Sequence, residues 1–120
     1  MKELILVVDD SKFTRTLLKA PLRRLGYRVN AVGEPREALD FVMQHNPGLI
    51  ITDLRMPSLM DGLGFLKMLS LEAPGTPVMV YTSDPNPEQS VGEIGHKKLS
   101  FAKKPITPEV LAQKVERVLG

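Results

Sequence analysis

Two unbroken apolar runs, each closed by acid, set the strongest limit on what this chain can fold into. Leu4-Ile5-Leu6-Val7-Val8 runs into Asp9-Asp10, and Leu49-Ile50-Ile51-Thr52 runs into Asp53, with Arg55-Met56-Pro57 just beyond. A run without polar alternation is what a strand buried on both faces requires, and such strands belong to parallel sheets covered by helices on each side. Pro57 lacks the amide a central strand must donate, so the second strand has ended before it. Asp53 is therefore expected at the carboxyl end of a central strand. In an open parallel sheet that edge is where ligands bind.

The segments between and after these runs alternate in period. Ser11 is a capping residue ahead of Phe13, Leu17, Leu18, Leu22 and Leu25, which recur at helical spacing until Gly26. Pro21 lies inside that pattern and is expected to kink and interrupt the helix. Tyr27 to Val32 reads as a shorter strand. Pro35 opens a helix carrying Ala38, Leu39, Val42 and Met43, stopped by Asn46-Pro47-Gly48. A helix from about Gly62 carries Leu63, Leu66 and Leu69, and Pro77 to Ser83 forms a fourth strand. In the polar segment from Asp84 to Lys98, Asn86 is the expected cap, with Pro87 in the first turn and Gln89 as its reciprocal partner. Only Val91 and Ile94 are apolar there, and Gly92 and Gly95 each cost about 1 kcal/mol relative to Ala, so this helix should be short or frayed. Leu99 to Lys103 makes a fifth strand, and Thr107-Pro108-Glu109 starts a last helix through Leu111, Val115 and Val118.

Five strand-helix repeats predict an α/β fold, a doubly wound five-stranded parallel sheet with helices on both faces and right-handed crossovers. The 120 residues suffice for one domain, 1–120, and one core. No apolar run approaches the roughly 20 residues of a membrane span, and the first residues lack a signal peptide's length and cleavage site. A cytoplasmic protein without membrane insertion is expected. There is no cysteine, hence no disulfide and no thiolate chemistry. The net charge of +2, with bases spread along the chain, gives no basis for direct nucleic-acid binding.

The strand ends differ in chemistry: two acids after the first, one after the third, the hydroxyl of Thr82 after the fourth and the amine of Lys104 after the fifth. All fall on one edge. Two unit charges about 4 Å apart interact by about 4 kcal/mol at an effective dielectric of 20, so three carboxylates there need compensation. Lys104 supplies one charge. A hard divalent ion such as Mg²⁺, which binds through one or two carboxylates and bridges to phosphate, suits the rest. A lone carboxylate beside a metal, an ammonium and a hydroxyl describes phosphoryl transfer to an aspartate.

Asp9-Asp10, Asp53 with Met56-Pro57, Thr82, and Phe101 three residues before Lys104-Pro105 resemble, over essentially the whole chain, the receiver domain of two-component response regulators. That resemblance implies the flavodoxin-like strand order 2-1-3-4-5. It implies that Asp53 accepts a phosphoryl group from a sensor histidine kinase or phosphotransfer protein. Asp10 would bind Mg²⁺ or Mn²⁺ directly, Asp53 would share it, Asp9 would act largely through water, and the backbone carbonyl of Arg55 would complete the set. Lys104 would neutralise the phosphoryl oxygens and Thr82 would hydrogen-bond one of them. Phe101 would turn inward as Thr82 moves, changing the surface read by a downstream target protein or output domain. Arg55 and Asp84, two residues beyond acceptor and hydroxyl, would tune the lifetime of the phosphorylated state, by pairing across the cleft or as independent solvated side chains. The protein would be a phosphoacceptor signalling domain rather than an enzyme.

Singly, each residue has a plainer reading: Asp9, Asp10 and Asp53 as helix caps or turn residues, Thr82 as a turn residue, Phe101 as core, Lys104 as a solvated charge. Their coincidence on one edge favours the functional reading. His45 and His96 are expected to be exposed, and Lys97, Lys98 and Lys103 to form a solvated rim. The chain departs from the receiver pattern in Pro21, in Ser83 where alanine is usual, in His96-Lys97-Lys98 before the fifth strand, and in Ser58-Leu59-Met60, one residue longer than usual. Two rivals remain. A phosphate-independent pseudo-receiver would have lost an acid or the lysine, and an aspartyl-phosphate phosphohydrolase would carry an acid where Arg55 stands. A chain ending at Gly120 reads either as a stand-alone receiver or as the receiver part of a longer protein.

Overall fold

The computed structural model describes residues 3–54, 62–92 and 94–120. Its elements are β1 (Leu4–Val8), α1 (Lys12–Arg24), β2 (Arg28–Val32), α2 (Pro35–His45), β3 (Leu49–Thr52), α3 (Gly62–Glu72), β4 (Val78–Thr82), α4 (Pro87–Val91), β5 (Leu99–Lys103) and α5 (Pro108–Leu119). The five strands form one parallel sheet in the order β2-β1-β3-β4-β5. This is the doubly wound sheet expected from the alternation of periods, in the flavodoxin-like order that the receiver resemblance implies.

The pleat splits the central strands between two cores. Ile5, Val7, Leu49, Ile51, Met79 and Tyr81 pack with Leu18 and Leu22 of α1 and Leu111 and Val115 of α5. Leu6, Val8, Ile50, Val78 and Val80 pack with Ala38 and Val42 of α2, Phe65, Leu66 and Leu69 of α3, and Val91 of α4. Continuous apolar runs are thus needed because alternate residues face different helices. The two outer strands are covered at their free sides by helical cations. Arg23 Nη2 donates to the Val29 carbonyl of β2 at 3.1 Å, and Lys114 Nζ donates to the Phe101 carbonyl of β5 at 3.1 Å.

Four expectations need correction. Phe13 and Leu17 are 75% and 45% exposed, whereas Leu18 and Leu22 are buried. At about 100° per residue, Leu17 and Phe13 lie roughly 100° and 140° around α1 from Leu18, so the apolar set is wider than the buried face. The helix also runs unbroken through Pro21 to Arg24, and the Leu25 amide returns to the Pro21 carbonyl. The missing amide of Pro21 removes one helical hydrogen bond without ending the helix.

The cap of α4 is the third correction. The Asn86 side chain makes no cap bond. Asp84 organises the turn before α4 instead: its Oδ1 accepts the Asn86 N–H at 2.9 Å, and the Ser90 hydroxyl donates to its Oδ2. An aspartate reaching two residues forward is the ordinary Asx turn. The fourth concerns His96, which is only 7% exposed and whose Nε2–H donates to the Thr76 carbonyl at 2.7 Å, tying the loop before β5 to the loop before β4. His45 is exposed, its ring 4.4 Å from that of Phe41.

The short fourth helix is as expected: α4 spans five residues and closes on Gly92 at φ 59°. Its amides, with only Val91 anchoring them, are expected to exchange with solvent faster than those in the middle of α1 and α5. Hydrogen exchange read by mass spectrometry tests this, and equal protection of residues 88–92 and the centre of α5 would contradict it.

Candidate functional site

The sheet register brings the chemistry of the strand ends together. Val8 pairs with Thr52, so Asp9 and Asp53, one residue on in each strand, emerge side by side. Thr82 pairs with Lys103, and the Lys104 amide donates to the Thr82 carbonyl at 2.9 Å. The Lys104 side chain then reaches across the edge. Its Nζ lies 2.7 Å from Asp53 Oδ2 and 3.0 Å from Asp9 Oδ2, and 5.1 Å from the centre of the Tyr81 ring.

Both acids are buried, Asp9 at 2% and Asp53 at 8% exposure. Burial pushes the Lys104 ammonium down, but the hydrogen bonds and charges of Asp53 and Asp9 outweigh it and leave the pKa raised above its ordinary value. The lysine is therefore cationic throughout the neutral range. The other Asp9 oxygen, Oδ1, accepts the Ser11 N–H at 2.9 Å, and Ser11 Oγ caps α1 by accepting the Thr14 N–H at 3.2 Å.

The remaining residues flank this bridge. Asp10 is exposed, immediately after Asp9. Thr82 is buried, and its Oγ1 accepts the Asp84 N–H at 3.2 Å, which leaves its own O–H as the group it can donate. Phe101 is half-buried and, with Thr82, Asp84 and Lys103, lines a surface cleft of about 420 Å³ between α4, β5 and α5. Lys97, Lys98 and Lys103 are exposed, as a solvated rim should be. Arg55 and the Ser58-Leu59-Met60 insertion lie outside the described residues.

Among the described residues no three acidic or histidine side chains converge as a metal-binding group. The donors nevertheless fit Mg²⁺ in kind. Among the described residues, the buried carboxylates of Asp9 and Asp53 meet at the Lys104 ammonium, and exposed Asp10 adds a third acid one residue away. Hard carboxylate oxygens are what this ion takes.

Sequence reasoning read Gly62 only as a helix start, and missed Arg15 altogether. A Cβ at Gly62 would lie 2.3 Å from Leu54 Cα and 2.4 Å from the Asp53 carbonyl oxygen, so α3 begins directly against the backbone that carries Asp53. The signal was present only as a glycine at a helix N-terminus. Arg15 Nη1 donates to the Asp9 carbonyl at 2.7 Å, a contact that helical periodicity does not announce.

A five-stranded doubly wound sheet with acids and a lysine at its carboxyl edge defines a CheY-like α/β domain. The chain belongs to the response regulator receiver domains of two-component signalling, whose family pattern matches residues 5–116. It is 34% identical over 116 residues to the transcriptional regulatory protein ZraR of Escherichia coli K12, covering 97% of this chain and 26% of ZraR. It is 33% identical over 118 residues to the two-component response regulator ORR7 of Oryza sativa, covering 96% of this chain and 56% of that protein. The crystal structure of the chemotaxis protein CheY4 of Vibrio cholerae matches with a TM-score of 0.89 at 30% identity, covering 99% of this chain and all of that one. NtrX of Brucella abortus matches with a TM-score of 0.90 at 29% identity, covering 99% of this chain and 27% of NtrX. The chain spans between 18% and 56% of the length of the first curated relatives. Receiver domains are signalling domains, and as a class they hold Mg²⁺ through acidic residues.

Two substitutions probe the site. Gly62→Ala should cost about 1–3 kcal/mol of stability, the usual range for overpacking, and should shift the amide resonances of Asp53 and Leu54; unchanged resonances would show that α3 can retreat freely. Lys104→Met leaves two buried carboxylates facing one another and should cost about 3–5 kcal/mol in urea unfolding at neutral pH, partly recovered by millimolar Mg²⁺. A loss under about 1 kcal/mol would make the bridge equivalent to an exposed pair. Because the lysine pKa is raised, the bridge stabilises fully below the ordinary value of 10.5 and is lost as pH rises through the higher folded value. The alkaline fall in wild-type stability should accordingly be blunted in Lys104→Met.

Proposed function

We propose that this chain is a cytoplasmic phosphoacceptor receiver, a single domain over 1–120, in which Asp53 takes a phosphoryl group from a sensor histidine kinase or phosphotransfer protein. The observation that carries this reading is the Lys104 ammonium held between Asp53 and Asp9. An Asp53 carboxylate oxygen attacks the donor phosphorus, a P–O bond forms, and the donor's P–N or P–O bond breaks with its electron pair leaving on the donor. Lys104 keeps its contact with the acceptor and neutralises the phosphoryl oxygens. Thr82 donates its hydroxyl proton to one of those oxygens. Asp10, Asp53 and the Arg55 carbonyl, with Asp9 acting through water, would hold Mg²⁺, which would supply charge neutralisation for the phosphoryl oxygens.

Phe101 and Thr82 line the same cleft, which supports a readout in which Phe101 follows Thr82 and alters the face offered to a downstream protein or output domain. Arg55 and Asp84 set how long the adduct survives. Asp84 acts through the turn it organises, since its amide holds Thr82 Oγ1 and its carboxylate engages Asn86 and Ser90. The pseudo-receiver reading is disfavoured because Asp9, Asp10, Asp53 and Lys104 are all retained and the lysine contacts Asp9 and Asp53. The phosphohydrolase reading is disfavoured because Arg55 offers no acid or base two residues after the acceptor.

Incubation with a small acyl phosphate and Mg²⁺, read by intact mass, should add one phosphoryl group, and Asp53→Asn should abolish it. Wild-type protein that binds Mg²⁺ yet stays unmodified with several donors would transfer the reading to the pseudo-receiver. Followed after donor removal, the adduct should decay faster in Arg55→Ala and in Asp84→Ala, and the double variant should not exceed the faster single one if the two act together. The absence of Trp makes mass or phosphorus NMR the suitable readout.

A further inference from the structure

Arg15 and Gly33 lie outside the phosphoryl-transfer machinery, yet they are built around its first acidic turn. The Asp9 amide is taken by the Val32 carbonyl of β2 at 3.2 Å, and the Arg15 amide by the Ser11 carbonyl at 3.0 Å. The Arg15 side chain turns back beside these bonds, and its Nη1 donates to the Asp9 carbonyl at 2.7 Å. That carbonyl belongs to the peptide joining Asp9 to Asp10, so the guanidinium fixes the plane from which the Asp10 side chain departs. Gly33, next after β2, provides the space: a Cβ there would lie 3.1 Å from Arg15 Nη1 and 3.6 Å from Cζ. Gly33 does not have the positive φ found at Gly26, Gly92 and Gly95, so its backbone conformation does not call for glycine. A side chain there would instead press on the guanidinium.

We propose that Arg15, seated over Gly33, is a positioning residue that orients the Asp9-Asp10 turn for divalent-cation binding. The inference rests on the receiver reading above. Two effects of the guanidinium oppose each other, because its charge repels a nearby cation while its hydrogen bond fixes the peptide. They predict opposite signs on removal. If repulsion dominates, a neutral residue at 15 tightens Mg²⁺ binding; if orientation dominates, it weakens it. Orientation should prevail, since partners that hold ligating residues in place typically carry 10–100-fold in metal affinity.

The test is Mg²⁺ titration of the full chain, followed by the amide resonances of Asp10 and Ser11, with urea unfolding measured without metal. Arg15→Met should weaken Mg²⁺ about tenfold, and Arg15→Lys, which keeps a donor and the charge, should recover part of it. Gly33→Val should weaken binding in the wild-type background and have little further effect beside Arg15→Met, since the displaced group is then gone. An Arg15→Met variant that is less stable but binds Mg²⁺ within twofold of wild type, or more tightly, overturns the inference and leaves the receiver reading intact. Wild-type protein without saturable Mg²⁺ binding overturns both. If Arg15→Met does not fold, Gly33→Ala and Arg15→Lys decide: a smaller weakening in each supports the positioning role, and unchanged affinity in both refutes it.

Discussion

Two carboxylates packed against one ammonium at the end of a parallel sheet are the constraint on which the rest of this molecule turns. Burying two carboxylates to 2% and 8% exposure carries a desolvation cost that a cationic partner offsets. Lys104 is that partner, and it reaches both because its backbone is held against the end of β4. Most of the fold can be read as the means of delivering these three groups to one place. Helical crossovers keep all five strands parallel, and the register of β1 with β3 fixes which residues are neighbours past their last pair. The gathered carboxylates are what a divalent cation would engage, and the ammonium is what an incoming phosphoryl group would engage.

The parts legible in the sequence are those governed by one-dimensional patterns. β5 was bounded at Leu99 and Lys103 because an apolar stretch met a lysine and a proline, and Thr107-Pro108 marked the start of α5 by local capping chemistry alone. Unbroken apolar runs announced strands covered on both faces, and the acids closing them announced the edge where Asp9, Asp53 and Lys104 meet. What escaped depends on contacts between segments distant in sequence. Phe13 and Leu17 had the spacing of a core stripe, but the width of the buried face is set by what packs on it. His96 looked like a surface residue among lysines, and only the approach of the β4 loop gives its ring a carbonyl partner. The importance of Gly62 and Gly33 follows from what fills the space beside them.

The α4 region illustrates competition between local rules. Asn86 had the right identity and position for a capping side chain, yet the side chain that engages the turn is that of Asp84, which takes both the Asn86 amide and the Ser90 hydroxyl. The result couples the helix to the hydroxyl of Thr82 through the Asp84 amide. A five-residue helix with a single buried side chain has little to hold it in one position, so the element nearest Thr82 and Phe101 is also among the least anchored.

The Arg23 and Lys114 contacts to the outer strands bear on how the domain meets other molecules. A sheet edge recruits partners by presenting carbonyls and amides in register to an incoming extended chain, and that template works only if its acceptors are vacant. On β2 and on β5 an edge carbonyl already receives a side chain from the helix that packs over it. An extended peptide or a second copy would have to displace a charged hydrogen bond on either side before adding a strand. Recognition is thereby steered away from backbone pairing, which reads little of a partner's sequence, and towards side chains on helices and loops, where discrimination among many similar partners can be encoded.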